Sequence, residues 1–440
     1  MYLNGREPTF RKQRSRSNPY SVITLLVIVM VGLFVIRGFS SGEIEPVGKP
    51  TPIPTRTVDS YTAEGETFFI AGDLENAMNA YNKALTIAPN NANIWAEVAR
   101  IKAYSSSTMT TDALRLDRLG EALEAANTAV EVDPDNSYAR GVRAFVLDWY
   151  AGSSLDQATR DSSLLEAERE AIAALTLDNA NTLALAYYAE IQVDQALILQ
   201  AQQNIEEALL REEEIMDVHR VHGYVLESLG YYSDAIDAYK RAIELNPNMT
   251  FLYIRIGVNY RQLTRYEEAL EYFAKAAQIN EANGVEDPLP YLAIGNTYSR
   301  IGEFFIAARN VERVLDIDPT NPNTYGTLGV IYFRARNYES AIPALQCATY
   351  GCDAETSCAV REPGNDSCSG VEIPRTPLTD STVIYYYTYG SVLAGMHQPG
   401  REYCSEAMDV LSDVRAEFSN EAVIMSIVSE SESICRGFGY

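Results

Sequence analysis

The chain has 440 residues, with 35 Lys and Arg against 60 Asp and Glu for a formal net charge of −25, and is 47% hydrophobic and 22% charged. So acidic a balance argues against a nucleic-acid partner, because a basic face is what neutralises phosphates and releases their counterions. The apolar share supports a sizeable core, and the length accommodates two or three compact domains or one long repeat array.

Charge is unevenly placed. Residues 1–20 carry Arg6, Arg11, Lys12, Arg14 and Arg16 against Glu7, so this tail is +4 and the remaining 420 residues are −29. Ser21 to Ile36 is then sixteen residues without a charge. Extended to Tyr20 and Phe39, with Arg37 reaching the interface, the segment makes about 30 Å of helix and matches a bilayer core. A membrane span over residues 21–39 follows, and the basic flank before an acidic body places the N-terminus in the cytoplasm and the body outside. The competing reading is a cleaved signal peptide. The apolar run is longer than the usual h-region of about 7–15 residues and Gly38-Phe39-Ser40 is a weak cleavage site, so an uncleaved anchor is preferred. No Cys follows the span, which excludes a lipid-modified cysteine there.

Residues 42–57 hold Pro46, Pro50, Pro52 and Pro54 with few bulky apolar residues, an extended stalk of polyproline character. Beyond it a period appears. Gly65, Phe68, Gly72, Leu74, Ala77, Tyr81, Ala84 and Pro89 recur as Gly223, Leu226, Gly230, Tyr232, Ala235, Tyr239, Ala242 and Pro247. Further copies begin at Gly257, Gly295 and Gly329. Small residues in both halves let two helices approach, aromatics fill the gaps, and Pro stops the second helix. Ala88-Pro-Asn-Asn91, Asp133-Pro-Asp-Asn136, Asn246-Pro-Asn248 and Asp318-Pro-Thr-Asn321 read as loops that end one helix and cap the next.

This pattern closely resembles the tetratricopeptide repeat, a helix-turn-helix unit of about 34 residues. Intervals between loops are 45, 45, 68, 34, 38 and 34 residues, measured through Pro89, Pro134, Asn179, Pro247, Glu281, Pro319 and Asp353. The interval of 68 holds two periods, with Ala189, Ala201 and Ala208 where a degenerate repeat needs small residues. The resemblance implies an all-α, right-handed α-solenoid of about eight to nine repeats. They lie near 58–91, 92–136, 137–181, 182–215, 216–249, 250–287, 288–321 and 322–350, before a Cys-rich loop at 351–380 and a helical cap at 381–440. The second and third repeats each carry eleven extra residues, around Ser105–Arg115 and Ala151–Asp161. Either both helices of each pair run longer, or the insertions build a projecting recognition edge.

The segment from Gly351 to Asp380 is rich in Gly, Ser, Pro and Asp and lacks helical periodicity. All six cysteines, Cys347, Cys352, Cys358, Cys368, Cys404 and Cys435, lie in the last 94 residues, which suits an oxidised compartment. None forms C-x2-C, which disfavours zinc. The preferred pairing joins Cys404 to Cys435 and staples the loop with the other four; free thiols in a cytoplasmic body are the alternative.

Of three histidines, His219 and His222 are spaced i, i+3 but occupy the repeat's packing positions, and read as core or interface residues. His397 has no evident partner. No phosphate-binding, dinucleotide, zinc-protease or serine-hydrolase motif occurs, so neither an enzyme nor a cofactor is expected. Sequons stand at Asn248-Met-Thr250 and Asn365-Asp-Ser367 and would matter only in a eukaryotic secretory pathway.

The resemblance also implies a concave groove lined by the first helix of each repeat. The matching positions are Asp217, Arg220, Tyr224 and Glu227, then Phe251, Ile254, Val258 and Arg261, then Leu292, Asn296 and Ser299, then Val330 and Phe333. In the first repeat Asp59, Thr62 and Glu66 stand where the family's carboxylate clamps use Lys and Asn, which disfavours an acidic tail as ligand. The expected function is a protein-binding scaffold or adaptor outside the cytoplasmic membrane, with a protein or peptide segment in an apolar groove. The alternatives are a groove filled by the chain's own cystine loop or final helix, an accessory subunit of an envelope enzyme or secretion complex, and a self-assembling homo-oligomer.

Overall fold

The computed structural model describes residues 18–40, 56–154, 156–362, 364 and 368–440. Most of the basic tail, nearly all of the Pro-rich stalk and the Asn365 sequon lie outside the described residues. The chain divides into two compact units, residues 1–56 and 57–440. In the first, α1 (Pro19–Ser40) is a single helix. Its residues Pro19–Gly38 are long and apolar enough to cross a membrane, with none of the span buried, a property that an anchor and a signal sequence share.

All regular secondary structure among the described residues of the second unit is α-helical, and it comes in pairs. These are α2 (Val58–Ile70) with α3 (Leu74–Ile87), α4 (Ala92–Ser106) with α5 (Asp112–Val132), and α6 (Ser137–Ser153) with α7 (Gln157–Leu177). Next come α8 (Thr182–Asp194) with α9 (Ile198–Arg211), α10 (Met216–Ser228) with α11 (Tyr232–Leu245), and α12 (Thr250–Gln262) with α13 (Tyr266–Ala282). Two further pairs, α14 (Leu289–Ile301) with α15 (Phe304–Ile317) and α16 (Pro322–Arg334) with α17 (Tyr338–Thr349), complete the eight. A short α18 (Ala354–Arg361) precedes the cap of α19 (Val383–Met396), α20 (Cys404–Glu417) and α21 (Ala422–Gly437).

A glycine in five of the eight first helices explains the period. A Cβ at Gly65 would sit 2.6 Å from the Tyr81 ring and one at Gly223 2.7 Å from Tyr239, and Gly257, Gly295 and Gly329 meet Phe273, Val311 and Leu345 in the same way. In all five cases the partner is sixteen residues on. A missing side chain on the first helix thus makes room for a large one on the second. Asn91, Asn136 and Asn181 cap α4, α6 and α8, accepting the backbone N–H of Ile94, Ala139 and Ala184.

Three local expectations need correction. The loop Asn246-Pro-Asn248 spends its amides elsewhere than on a cap. Asn248 Nδ2 donates to the carbonyl of Ala71 at 2.7 Å and Asn246 Nδ2 to that of Phe69 at 3.4 Å, so the turn after α11 clasps the end of α2 from 177 residues away. The Asn248 sequon is therefore committed to this contact. Residues 351–380, expected to be without helix, contain α18, capped by Asp353 through the N–H of Thr356. Its Val360, with Ile373, packs into a core shared with Ala307, Leu315 and Ala348, so the cystine loop seats itself on α15 and α17. Finally, His397 accepts at Nδ1 the backbone N–H groups of Tyr403 and Cys404, both at 3.1 Å, at the start of α20.

The extra residues of the second and third repeats go largely into length: α4 and α5 have 15 and 21 residues, α6 and α7 17 and 21, against 13 or 14 in the helices of the first, fourth and fifth pairs. The cysteines stand at disulfide distance in the pairs Cys347 with Cys352, Cys358 with Cys368 and Cys404 with Cys435.

Among the described residues the turn of six of the eight pairs holds a left-handed residue. Gly72, Gly230 and Gly302 supply it at φ of +74°, +79° and +95°, but Ala196, Thr264 and Arg336 are held there at +62°, +60° and +59°. For a β-branched residue this conformation is costly. Thr264→Gly is expected to raise unfolding free energy by about 1 kcal/mol, read as a higher urea midpoint; an unchanged or lower midpoint would show that the strain is relieved elsewhere.

Candidate functional site

The first helices of the pairs face inward, and in the N-terminal half they converge on one centre. Arg100 and Tyr104 project from α4, Phe145 and Trp149 from α6, Tyr187 and Glu190 from α8, Asp217 and Arg220 from α10 and Phe251 from α12. Arg100 Nη1 reaches Asp217 Oδ2 at 2.9 Å, across 117 residues of sequence. The hydroxyls of Tyr104 and Tyr187 both donate to the other oxygen of Asp217, the latter at 2.6 Å. Arg220 donates to both oxygens of Glu190, at 2.5 and 2.6 Å, and from Nε to the Tyr104 hydroxyl at 3.2 Å. Its guanidinium also lies over the rings of Tyr104, Phe145 and Trp149. Phe251 stacks on Tyr104 with centroids 5.7 Å apart.

Burial opposes the charge on Asp217, yet Arg100 and Arg220, with the two tyrosine hydroxyls, hold its carboxyl below the usual range. Burial likewise opposes the charge on Arg220, and Glu190 more than compensates. The phenols of Tyr104 and Tyr187 are pushed far up by burial and by the charge of Asp217. The network sets two buried charges among two neutral phenols, and each of these four groups has a hydrogen-bond partner.

Arg220, a groove position of the repeat pattern, is 4% exposed and committed to Glu190 and Tyr104, while still forming part of a cavity wall. Phe251, Ile254 and Val258 are half-buried because they pack on the same core as Phe69, Tyr104 and Phe145. Tyr224 is half-buried and donates to Asp194 Oδ1 at 2.5 Å. Farther along, Arg261, Leu292, Asn296 and Phe333 remain half-buried, with Arg261 over the ring of Phe273. Val330 is buried in a core with Val383 and Tyr386, so the helix α19 continues the stack there. His219 is buried and its Nε2 lies 2.7 Å from the Glu213 carbonyl oxygen.

Beside the network a cavity of about 330 Å³ stays open, lined among others by Asp148, Trp149, Glu190, Asp194, Tyr224, Phe251 and Arg255. Its lining also includes Ser106, Ser107, Gly152 and Ser153, from the ends of the two extended first helices. The groove positions of the repeat pattern do not include Asp148 or Trp149. The one signal for them in the sequence is a carboxylate inside the apolar run from Ala144 to Ala151. Burial, then the charges of Asp194 and Glu190, push the Asp148 carboxyl well above its usual range, with Arg220 opposing. Asp194 is also raised, by burial, against the hydrogen bond from Tyr224.

Family models of the tetratricopeptide repeat match residues 65–99, 189–249 and 220–283. The chain is a tetratricopeptide repeat protein. Similar solved structures include a tetratricopeptide repeat protein from Parabacteroides merdae, 16% identical over 62% of this chain and 98% of that one, with a TM-score of 0.38. Others are YrrB, a TPR protein with an unusual peptide-binding site, at 21%, 49%, 99% and 0.33, and the human IFIT1 dimer with PPP-AAAA, at 16%, 68%, 74% and 0.44. No curated protein sequence matches the chain significantly.

In this tetratricopeptide repeat protein, removing one member of a buried pair should cost far more than replacing both. Arg220→Ala, which strands Glu190, is expected to destabilise by about 3–5 kcal/mol, whereas Arg220→Met with Glu190→Leu should recover most of that loss in chemical denaturation. A single variant as stable as the parent would show that water reaches Glu190.

Proposed function

We propose that this chain is a membrane-anchored, non-enzymatic scaffold, displayed outside the cytoplasmic membrane, that takes a segment of a protein partner on its concave face. The observation that carries the reading is the cavity beside the buried network. It opens among first helices, where tetratricopeptide repeat proteins bind protein or peptide partners. Tyr224, Val258, Arg261 and Asn296 extend the same face along α10, α12 and α14, half-buried and able to gain contacts from a ligand.

Supporting the location are the apolar helix α1 behind a basic tail, an acidic body, and six cysteines that stand in three pairs at disulfide distance. A bridge between Cys404 and Cys435, 31 residues apart, would tie the first turn of α20 to the end of α21. In the chain-entropy account it would contribute about 3–4 kcal/mol to the cap.

Protease added to intact spheroplasts is expected to degrade the body, and a thiol reagent applied without reductant to label none of the six cysteines. A protected body with reactive thiols would place it in the cytoplasm. For binding, a photo-cross-linking residue at Asn296 should trap a partner in cells that the same residue at Leu199, 69% exposed on α9, does not. Identical captures at both positions would remove the concave face as the binding surface.

A further inference from the structure

The cavity beside the network also says what kind of group would enter it, an inference that rests on the reading above. Three guanidiniums and three carboxylates line it. The cations are all engaged. Arg220 is held by Glu190 at 2.5 and 2.6 Å, Arg255 by Glu227 at 3.0 Å and Arg115 by Asp112 at 2.7 Å. Glu190 is neutralised by the first of these pairs. Asp194 accepts the Tyr224 hydroxyl but has no ion pair among the described residues.

Asp148 has less. It is 1% exposed, and among the described residues no donor reaches either of its oxygens. Burial, the charges of Asp194 and Glu190 and a side-chain interaction with the Asp194 carboxyl disfavour its ionised form. Asp148 and Asp194 thus form a carboxyl pair that no ion pair among the described residues neutralises, since Arg220, the cation that acts on Asp148, is committed to Glu190. Beside this pair stand the aromatic rings of Trp149, Tyr224 and Phe251, whose faces attract cations and cover alkyl stems. An anion would meet the uncompensated carboxyl pair, and a neutral apolar group would bring that pair no compensation. Among the described residues no cluster of His, Cys, Asp or Glu has the arrangement to hold a metal ion.

We propose that the cavity receives the ammonium or guanidinium of a lysine or arginine side chain on the partner segment, paired by Asp148 and Asp194 against the wall of Trp149 and Phe251. The extended repeats then have a use: Ser107, Gly152 and Ser153, small residues at the ends of α4 and α6, line the cavity and leave room in it for a long side chain.

The chain has two tryptophans, so Trp95→Phe makes Trp149 the sole indole reporter. With the full-length protein in detergent micelles, n-butylammonium and n-butylguanidinium are expected to shift Trp149 emission saturably, and n-butanol, the neutral counterpart, is not. Asp148→Asn and Asp194→Asn should each weaken the cations by about tenfold or more. Circular dichroism identifies which of the two variants is folded for the comparison. An equal response to butanol, or cation affinity unchanged in either folded variant, would overturn the inference; the second outcome is expected if a proton shared between the carboxylates already satisfies them. The read-out needs no partner, so a failed cross-link at Asn296 sinks the partner reading while an unresponsive cavity sinks only this one.

Discussion

The bond between Arg100 and Asp217 is the constraint around which the solenoid is organised. It joins the second repeat to the fifth across the concave face, and the groups around it come from the first helices α4, α8 and α10. Burying two charges is expensive unless geometry and further hydrogen bonds compensate. Here Asp217 gains two tyrosine hydroxyls, and Arg220 gains Glu190 on a bidentate grip with three aromatic faces around it. Such a set is satisfied only when five helices reach the same point together. The network thus specifies curvature, a property that nearest-neighbour packing in a repeat array leaves loosely set.

Closure has a consequence at each end. Toward the N-terminus it brings the turn at Asn246 and Asn248 onto the end of α2, so the first repeat is held from both its neighbour and a repeat four units away. Toward the C-terminus the inward face stays less occupied, and Arg261, Leu292 and Asn296 keep part of their surface in solvent. One array therefore contains a self-filled half and a half still able to bind, with the cavity at their junction.

The repeats were legible because their physics is local: a glycine and a bulky partner sixteen residues later appear at five places, and Asn or Asp marks the helix starts. Curvature was not. A position on the inward face of a first helix looks the same in sequence whether the facing surface is open or closed, which is why Arg220 reads as groove and is found buried. Asp148 was hidden for a related reason, since its meaning depends on which charges come near it from α8 and α10. His397 and the amide of Asn248 likewise find partners that no fixed offset of the repeat would suggest.

The cavity persists because of what surrounds it. Tyr104, Phe145, Trp149 and Phe251 are locked to one another by ring contacts at 5.0 to 6.1 Å, so none can turn to fill the space without breaking several contacts. The lining residues Ser107, Gly152 and Ser153 are too small to reach across. Collapse would also bury the Asp148 and Asp194 carboxyls more deeply with no ion pair to compensate them, which desolvation opposes. Rigid aromatics, short lining residues and the cost of burying these carboxyls act in the same direction, and together they keep a binding-sized space at the edge of the self-filled half.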